Sequence, residues 1–270
     1  MQLRISIIAF LLVLILISSC EKEEISEFTD TPIIESYLKP GDYFNLKVSR
    51  QISFSSDVTY SSEDIDHLII HVTVDNNTHT LQPIGDGQYI DSSLIVSEHA
   101  SYDLSFQFNS KNVNAYTYVP SKPVDEAQSA TTIYIEKRDS TFGPPSGISM
   151  PEPVNITWHN SDHSYYLIVV ENIEINLEPI RDFGGNAPPS NFFRKKPTNL
   201  SSEEIRPMEF QYYGMHRIII YHVLPDYANL YDQNNTSSQN LSNPSTSITN
   251  GYGIFTGLNS DTLMISVKKP

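Results

Sequence analysis

Apolar and polar residues alternate along much of the first half of this 270-residue chain. The clearest runs are residues 44–48, 70–74, 102–108 and 113–119, each bordered by Asn, Asp or Ser. Successive side chains of a β-strand point to opposite faces, so strict alternation predicts a strand with one buried face. The turn-forming residues between the runs predict antiparallel neighbours. Residues 31–122 are therefore predicted to form a β-sandwich.

Strand patterns resume after a proline-containing break, which predicts a linker at residues 123–130. They cover residues 131–136, 154–158, 165–175, 215–223 and 263–268. A lone tryptophan, Trp158, a tyrosine-rich strand after it and a late long strand together resemble a fibronectin type III-like sandwich over residues 131–270. We expect an all-β protein of two tandem immunoglobulin-like β-sandwich domains, with Trp158 in the second core rather than on a binding surface.

Two connections in the second domain exceed ordinary loop length, Glu178 to Phe210 and Pro225 to Gly253. Loops longer than about 15 residues are usually functional or disordered. The second connection begins with a predicted short helix, since Tyr227, Leu230 and Tyr231 share one helical face and Asp226 is a credible N-cap. We expect any ligand or partner to bind at these two insertions.

Aromatic residues are the strongest sign of a binding surface, because the chain has 16 Tyr and 12 Phe. Tyrosine can stack on a sugar ring or line a protein interface, so the predicted ligand is a glycan or a peptide. The alternative is that these aromatics fill cores, because they favour strands. The basic cluster at 194–196 suits an acidic partner or a solvated loop. The candidate contact residues in or beside the insertions are Phe192, Phe193, Tyr212, Tyr213, Tyr227 and Tyr231.

The first 19 residues have the layout of a secretory signal peptide. Arg4 precedes an apolar run from Ile5 to Ile17, which is shorter than the roughly 20 residues that span a bilayer. Small residues then lead into the chain's single cysteine, Cys20. This pattern resembles the lipobox of bacterial lipoproteins, in which the cysteine is acylated and becomes the new N-terminus. We therefore expect a lipid anchor at Cys20 and a tether over residues 20–30.

The residues after Cys20 resemble the export tag of Bacteroidetes lipoproteins, a lysine followed by two acidic residues: Lys22, Glu23 and Glu24. The resemblance implies an outer-membrane protein that is lipid-anchored and exposed at the cell surface. The alternative is a charged, solvated tether. A lipid anchor contributes about 0.8 kcal/mol per buried methylene, and lipoproteins carry more than one chain, so the expected attachment is stable.

The charge of the chain excludes one class of partner. The 17 Lys and Arg are outnumbered by 32 Asp and Glu, which gives a formal net charge of −15. Because an acidic protein repels phosphate backbones, we expect no nucleic-acid binding. Lipidation of Cys20 would leave no thiol for disulfides or thiolate metal sites, so stability must come from packed cores.

Several segments together resemble one family: domain-of-unknown-function lipoproteins of Bacteroidetes encoded beside TonB-dependent outer-membrane receptors. The resemblance implies a two-domain β lipoprotein that works with such a receptor in nutrient uptake, and it transfers no catalytic residue. Residues 158–162 depart from the family pattern, in which an Asp-Pro pair often follows the strand that is predicted here at residues 154–158. The segments that carry the resemblance are residues 33–50, 86–89, 102–108, 115–120 and 248–257.

The eight histidines do not predict a metal site. His67 and His71 are four residues apart, and on a strand four residues span about 13 Å, too far for one ion. His216 and His222 are farther apart still. His159 and His163 could converge across a turn with Asp162, but exposed histidines in turns are common. We therefore expect no metal and no cofactor.

No motif for nucleophilic catalysis or phosphate binding occurs in the sequence. A hydrolase with paired carboxylates, drawn from Glu171, Glu174, Glu203 and Glu204, is the least favoured prediction. We expect a non-enzymatic accessory subunit that binds a ligand or caps a TonB-dependent receptor. The alternative is an adhesion or surface-assembly subunit, because tandem sandwiches suit both.

Overall fold

A computed structural model describes residues 30–51, 63–137, 151–181, 190–232 and 246–270 of the chain. It confirms the prediction of an all-β sandwich fold. Within the described residues, no helix is long and apolar enough to span a membrane. Cys20 and residues 22–24 lie outside the described residues, so lipidation and export remain predictions.

The described residues of the first half form eight strands, and buried and exposed residues alternate as predicted along β2, β3, β7 and β8. A four-residue helix, α1 (Glu63–Asp66), lies between the second and third strands. The strands are β1 (Pro32–Leu38), β2 (Tyr43–Arg50), β3 (His71–Val74), β4 (Asn77–Thr80), β5 (Gln82–Gly85), β6 (Gln88–Ile95), β7 (Ser101–Phe108) and β8 (Lys111–Tyr118).

The described residues of the second half form a further nine strands, a 3₁₀ turn (Pro207–Glu209) and the helix α2 (Pro225–Asp232). The predicted helix is therefore confirmed, although it begins one residue before Asp226. The strands are β9 (Ala127–Gln128), β10 (Thr132–Tyr134), β11 (Val154–Thr157), β12 (Tyr165–Asn172), β13 (Glu178–Pro179), β14 (Phe192–Arg194), β15 (Ser202–Ile205), β16 (Tyr212–Val223) and β17 (Tyr252–Lys268).

One large sheet connects the two halves, in the order β14-β12-β16-β17-β1-β2-β6-β5. A four-stranded sheet, β4-β3-β7-β8, closes the first core, in which Phe44, Tyr102 and Leu104 are buried. A three-stranded sheet, β15-β11-β9, closes the second core around Ile156, Trp158 and Ile218. Trp158 is thus a core residue, as predicted, because a large ring of this kind is stabilised by burial.

Strand β17 belongs to both sandwiches. Residues 252–257 pair in parallel with β1, and residues 258–267 pair antiparallel with β16. Ile248 and Phe255 lie in the first core, whereas Ile265 and Val267 lie in the second. The sequence-based boundaries therefore need correction, because residues 246–257 complete the first sandwich rather than the second. The predicted linker at 123–130 also contains β9, which pairs with β11.

Two glycines let β17 approach its neighbours closely. Gly253 has a φ of +100°, and a Cβ there would lie 2.0 Å from the carbonyl oxygen of Ile34. A Cβ on Gly257 would lie 2.0 Å from the carbonyl oxygen of Tyr118. Since a side chain cannot fit at these distances, both positions, 253 and 257, require glycine.

Candidate binding surface

The outer face of the large sheet carries a third apolar cluster. On β16, Ile218 and Ile220 point into the second core, so Ile219, Tyr221 and Val223 point to the opposite face. Leu167, Val223 and Leu258 are buried on that face, and five partly buried residues pack against them: Tyr165, Val169, Tyr221, Tyr227 and Tyr231. Part of this face is thus shielded from water, and most of its covering side chains are tyrosines.

Helix α2 packs over this face through its two tyrosines. Tyr227 and Tyr231 are one helical turn apart, and their ring centroids are 6.0 Å apart. Tyr37 of β1 meets Tyr227 edge-on, with the ring centroids 6.1 Å apart. The Thr256 hydroxyl of β17 donates a 2.9 Å hydrogen bond to Oδ1 of Asp226. These contacts hold α2 across the sheet with Tyr37 at one side.

Two cations lie over aromatic rings of this face. The Arg194 guanidinium is 5.7 Å from the ring centroid of Phe192, and the Lys39 ammonium is 6.0 Å from that of Tyr221. A hydrogen bond with Tyr231 raises the pKa of Arg194. Cations over ring faces are stabilised by the ring quadrupole, most where water is partly excluded. We call the set Tyr37, Lys39, Arg194, Tyr221, Tyr227 and Tyr231 the aromatic-cation surface.

Three tyrosines of this surface, Tyr37, Tyr221 and Tyr227, keep their hydroxyl protons at neutral pH. Burial is the main cause that raises the pKa of Tyr37, Tyr221 and Tyr227. Each phenol can therefore both donate and accept a hydrogen bond. Beside them, Arg217 donates to Glu171 at 2.7 Å, so this carboxylate is already paired. The surface offers ring faces, hydroxyls and two cations to a ligand.

The six predicted contact residues do not all lie on the same face of the sheet. Phe192, Tyr227 and Tyr231 lie on the outer face of the sheet, with Phe192 42% exposed. Phe193 instead packs against the second core and meets Phe210 edge-on. The prediction must be corrected for Tyr212 and Tyr213, which are 2% and 5% exposed.

The pairing of Tyr212 and Tyr213 explains this error, because both lie in β16 opposite β13 rather than in the long connection. Gly214, next in the chain, has a φ of +106°, and Tyr213 packs in the second core with Ile218 and Ile220 although its position on β16 has the opposite parity. The Tyr213 hydroxyl donates to the carbonyl oxygen of Ile135 at 2.9 Å. Tyr37, Lys39 and Tyr221 belong to the aromatic-cation surface but were not among the predicted contact residues. The parity of β1 could have revealed the first two, because they alternate with the buried Ile34, Ser36 and Leu38.

No group of three or more His, Cys, Asp or Glu residues in the described parts of the chain is arranged to bind a metal. Asp162, the proposed third ligand beside His159 and His163, instead accepts hydrogen bonds from the Ser164 hydroxyl and backbone. His216 and His222 are buried in β16. These side chains serve local structure.

The candidate carboxylates are largely engaged in other contacts. A cleft of about 780 Å³ contains Glu203, Glu204 and Glu209. Lys195 donates to both oxygens of Glu209 at 2.7 Å and lies 3.7 Å from Glu203. Outside this cleft, Glu174 accepts the backbone N–H of Met215. The cleft is therefore organised around an ion pair, which is a structural role.

No family model matches the chain. No curated protein matches it either. Two crystal structures of Salmonella alpha-2-macroglobulin, a tyrosine-to-glycine mutant and the protein reacted with methylamine, each align with 90% of this chain. Their TM-scores are 0.25 and 0.24 and their identities 7% and 8%, and the match spans 15% of the length of each macroglobulin chain.

Proposed function

We propose that this protein is a lipid-anchored, non-enzymatic protein of the outer-membrane surface that binds a ligand or partner through the aromatic-cation surface, as an accessory subunit of a TonB-dependent uptake system. The observation that carries the binding role is the gathering of Tyr37, Tyr221, Tyr227 and Tyr231 with two cations on one sheet face. Tyrosine and arginine are enriched where proteins bind partners.

The location is supported by the sequence alone. Cys20 follows a short apolar leader, and Lys22, Glu23 and Glu24 follow Cys20. Two acyl chains at the N-terminus would hold the protein to a membrane stably. The net charge of −15 keeps the rest of the chain away from anionic lipid.

Fractionation of cells that express wild-type protein and Cys20→Ala tests the anchor. Wild-type protein should sediment with outer membranes and be cut by protease added to intact cells, whereas Cys20→Ala should stay soluble. Co-sedimentation of Cys20→Ala with membranes would contradict a lipid anchor.

Affinity capture from detergent-solubilised outer membranes tests the partner. Wild-type protein should retain a TonB-dependent receptor, and a double variant, Tyr37→Ala with Tyr231→Ala, should lose it. Tyr134→Ala is the matched control, because Tyr134 is a 56% exposed tyrosine of β10 outside the aromatic-cation surface. Capture of adhesion or pilus subunits in place of a receptor would favour the assembly role and overturn the uptake role.

A further inference from the structure

Lys39 and Arg194 both contact aromatic side chains. Lys122, Lys195, Arg217 and Lys269 all form ion pairs with Asp or Glu. Within the described residues, neither Lys39 nor Arg194 forms one, and each is held over a ring instead. In a chain with a net charge of −15, this leaves two positive groups on one surface available to an anion.

The two cations stand at opposite sides of the tyrosine cluster. Arg194 is in β14 and Lys39 follows β1, and three strands separate these two strands in the sheet. Four strand spacings correspond to about 19 Å. Tyr221, Tyr227 and Tyr231 lie between them. The Lys39 ammonium reaches inward over Tyr221 of β16. A ligand that pairs with both cations must carry more than one negative group.

The ligand would meet side chains rather than backbone. The main-chain groups of β12, β16, β17 and β1 are already paired in continuous ladders. Among the described strands of this face, only the edge strand β14 could pair with an extended peptide. A sugar chain suits the face better, because its apolar ring faces match the tyrosine rings and its hydroxyls match the phenols.

We propose that the aromatic-cation surface binds an acidic polysaccharide, with carboxylate or sulfate groups on Lys39 and Arg194 and sugar rings on the tyrosines between them. This inference rests on the proposed function and names its ligand class. Tyr37 adds a ring that is 40% exposed at the edge of the cluster. Because only two charge contacts form, binding should weaken moderately, not collapse, as salt rises.

Calorimetric titration of the chain from residue 21 tests the proposal, with polygalacturonate oligosaccharides and neutral dextran oligosaccharides of equal length as probes. We expect binding of polygalacturonate and none of dextran. Lys39→Gln and Arg194→Gln should each weaken binding about 5- to 10-fold. Lys111→Gln is the matched control, because it removes the same charge from the exposed start of β8 and should leave affinity unchanged. Circular dichroism of each variant checks that it is folded.

Three outcomes would overturn the inference. Equal binding of dextran would show that the cations do not select the ligand. Tighter binding of poly-glutamate than of polygalacturonate would assign the surface to an acidic peptide. Binding of neither acidic polymer would exclude an anionic ligand. In each case, cell fractionation and receptor capture still test the proposed function separately, because neither experiment uses a polysaccharide.

Discussion

His216 is buried as a neutral imidazole at the edge of the second core. It is 3% exposed, and the ring of Phe210 meets it edge-on at 5.1 Å. Nδ1 lies 3.1 Å from the carbonyl oxygen of Gly214, to which it can only donate. Nε2 is then the acceptor for the Asn172 side-chain amide at 3.2 Å. A proton added to Nε2 would face this N–H donor, so the charged form is disfavoured.

Burial lowers the pKa of His216 from 6.5 to about 4, against small opposing effects of the Gly214 carbonyl and Glu174. The unfolded chain therefore binds more protons than the folded chain between these two values. The stabilisation is fully present above the unfolded pKa of 6.5 and is lost as pH falls toward 4. At about 1.4 kcal/mol per pKa unit, the difference between the unfolded and folded pKa values of His216 corresponds to about 3 kcal/mol of stability. About 2 kcal/mol of this is lost by pH 5.

Urea unfolding at pH 7.5 and pH 5 measures this loss through the fluorescence of Trp158, the single tryptophan. His216→Gln should be less stable than wild type at pH 7.5, because it disturbs the packing and hydrogen bonds. Its free energy of unfolding should also change less with pH, by about 2 kcal/mol. His99→Asn, at an exposed turn where φ is +63°, should keep the wild-type dependence. An unchanged pH dependence in His216→Gln would refute the reasoning.

Three further substitutions test the fold by thermal or urea unfolding. Gly253→Ala should lower the free energy of unfolding by more than about 3 kcal/mol, because its Cβ would clash with the Ile34 carbonyl oxygen. Gly41→Ala is the control: Gly41 has a φ of +89° with open space around it, and the loss should be about 1 kcal/mol. Equal costs would contradict the close approach. Tyr213→Phe should lose about 1 kcal/mol with its hydrogen bond to Ile135, and Tyr134→Phe should lose nothing measurable. Ile218→Ala should cost about 3 kcal/mol in the fully buried second core, and a loss below 1 kcal/mol would contradict that burial.

Local patterns predicted many of the strands and the helix, but not β13, β14 and β15, which lie within the predicted connection from Glu178 to Phe210. Alternation identifies which residues of a strand share a face, so the buried residues of β2 and β7 follow directly from the sequence. The helical spacing of Tyr227 and Tyr231 predicted α2 for the same reason. These features depend on neighbours within a few residues.

Long-range pairing could not be predicted in this way. Alternation in residues 252–268 does not say that the first part pairs with β1 and the rest with β16. The pairing of Tyr212 and Tyr213 with β13 likewise could not be predicted from local pattern. The aromatic-cation surface was only partly predicted, because Tyr37 of β1 and Lys39 just after it precede Arg194 by more than 150 residues in the sequence.

Because β17 belongs to both sandwiches, the first sandwich cannot be completed until β17 has been synthesised. Residues 32–119 supply most of the first core, yet Ile248 and Phe255 are synthesised long afterwards. A nascent chain therefore holds an unfinished apolar cavity until the ribosome has passed residue 257. Folding of the first sandwich therefore depends on almost the entire chain being present.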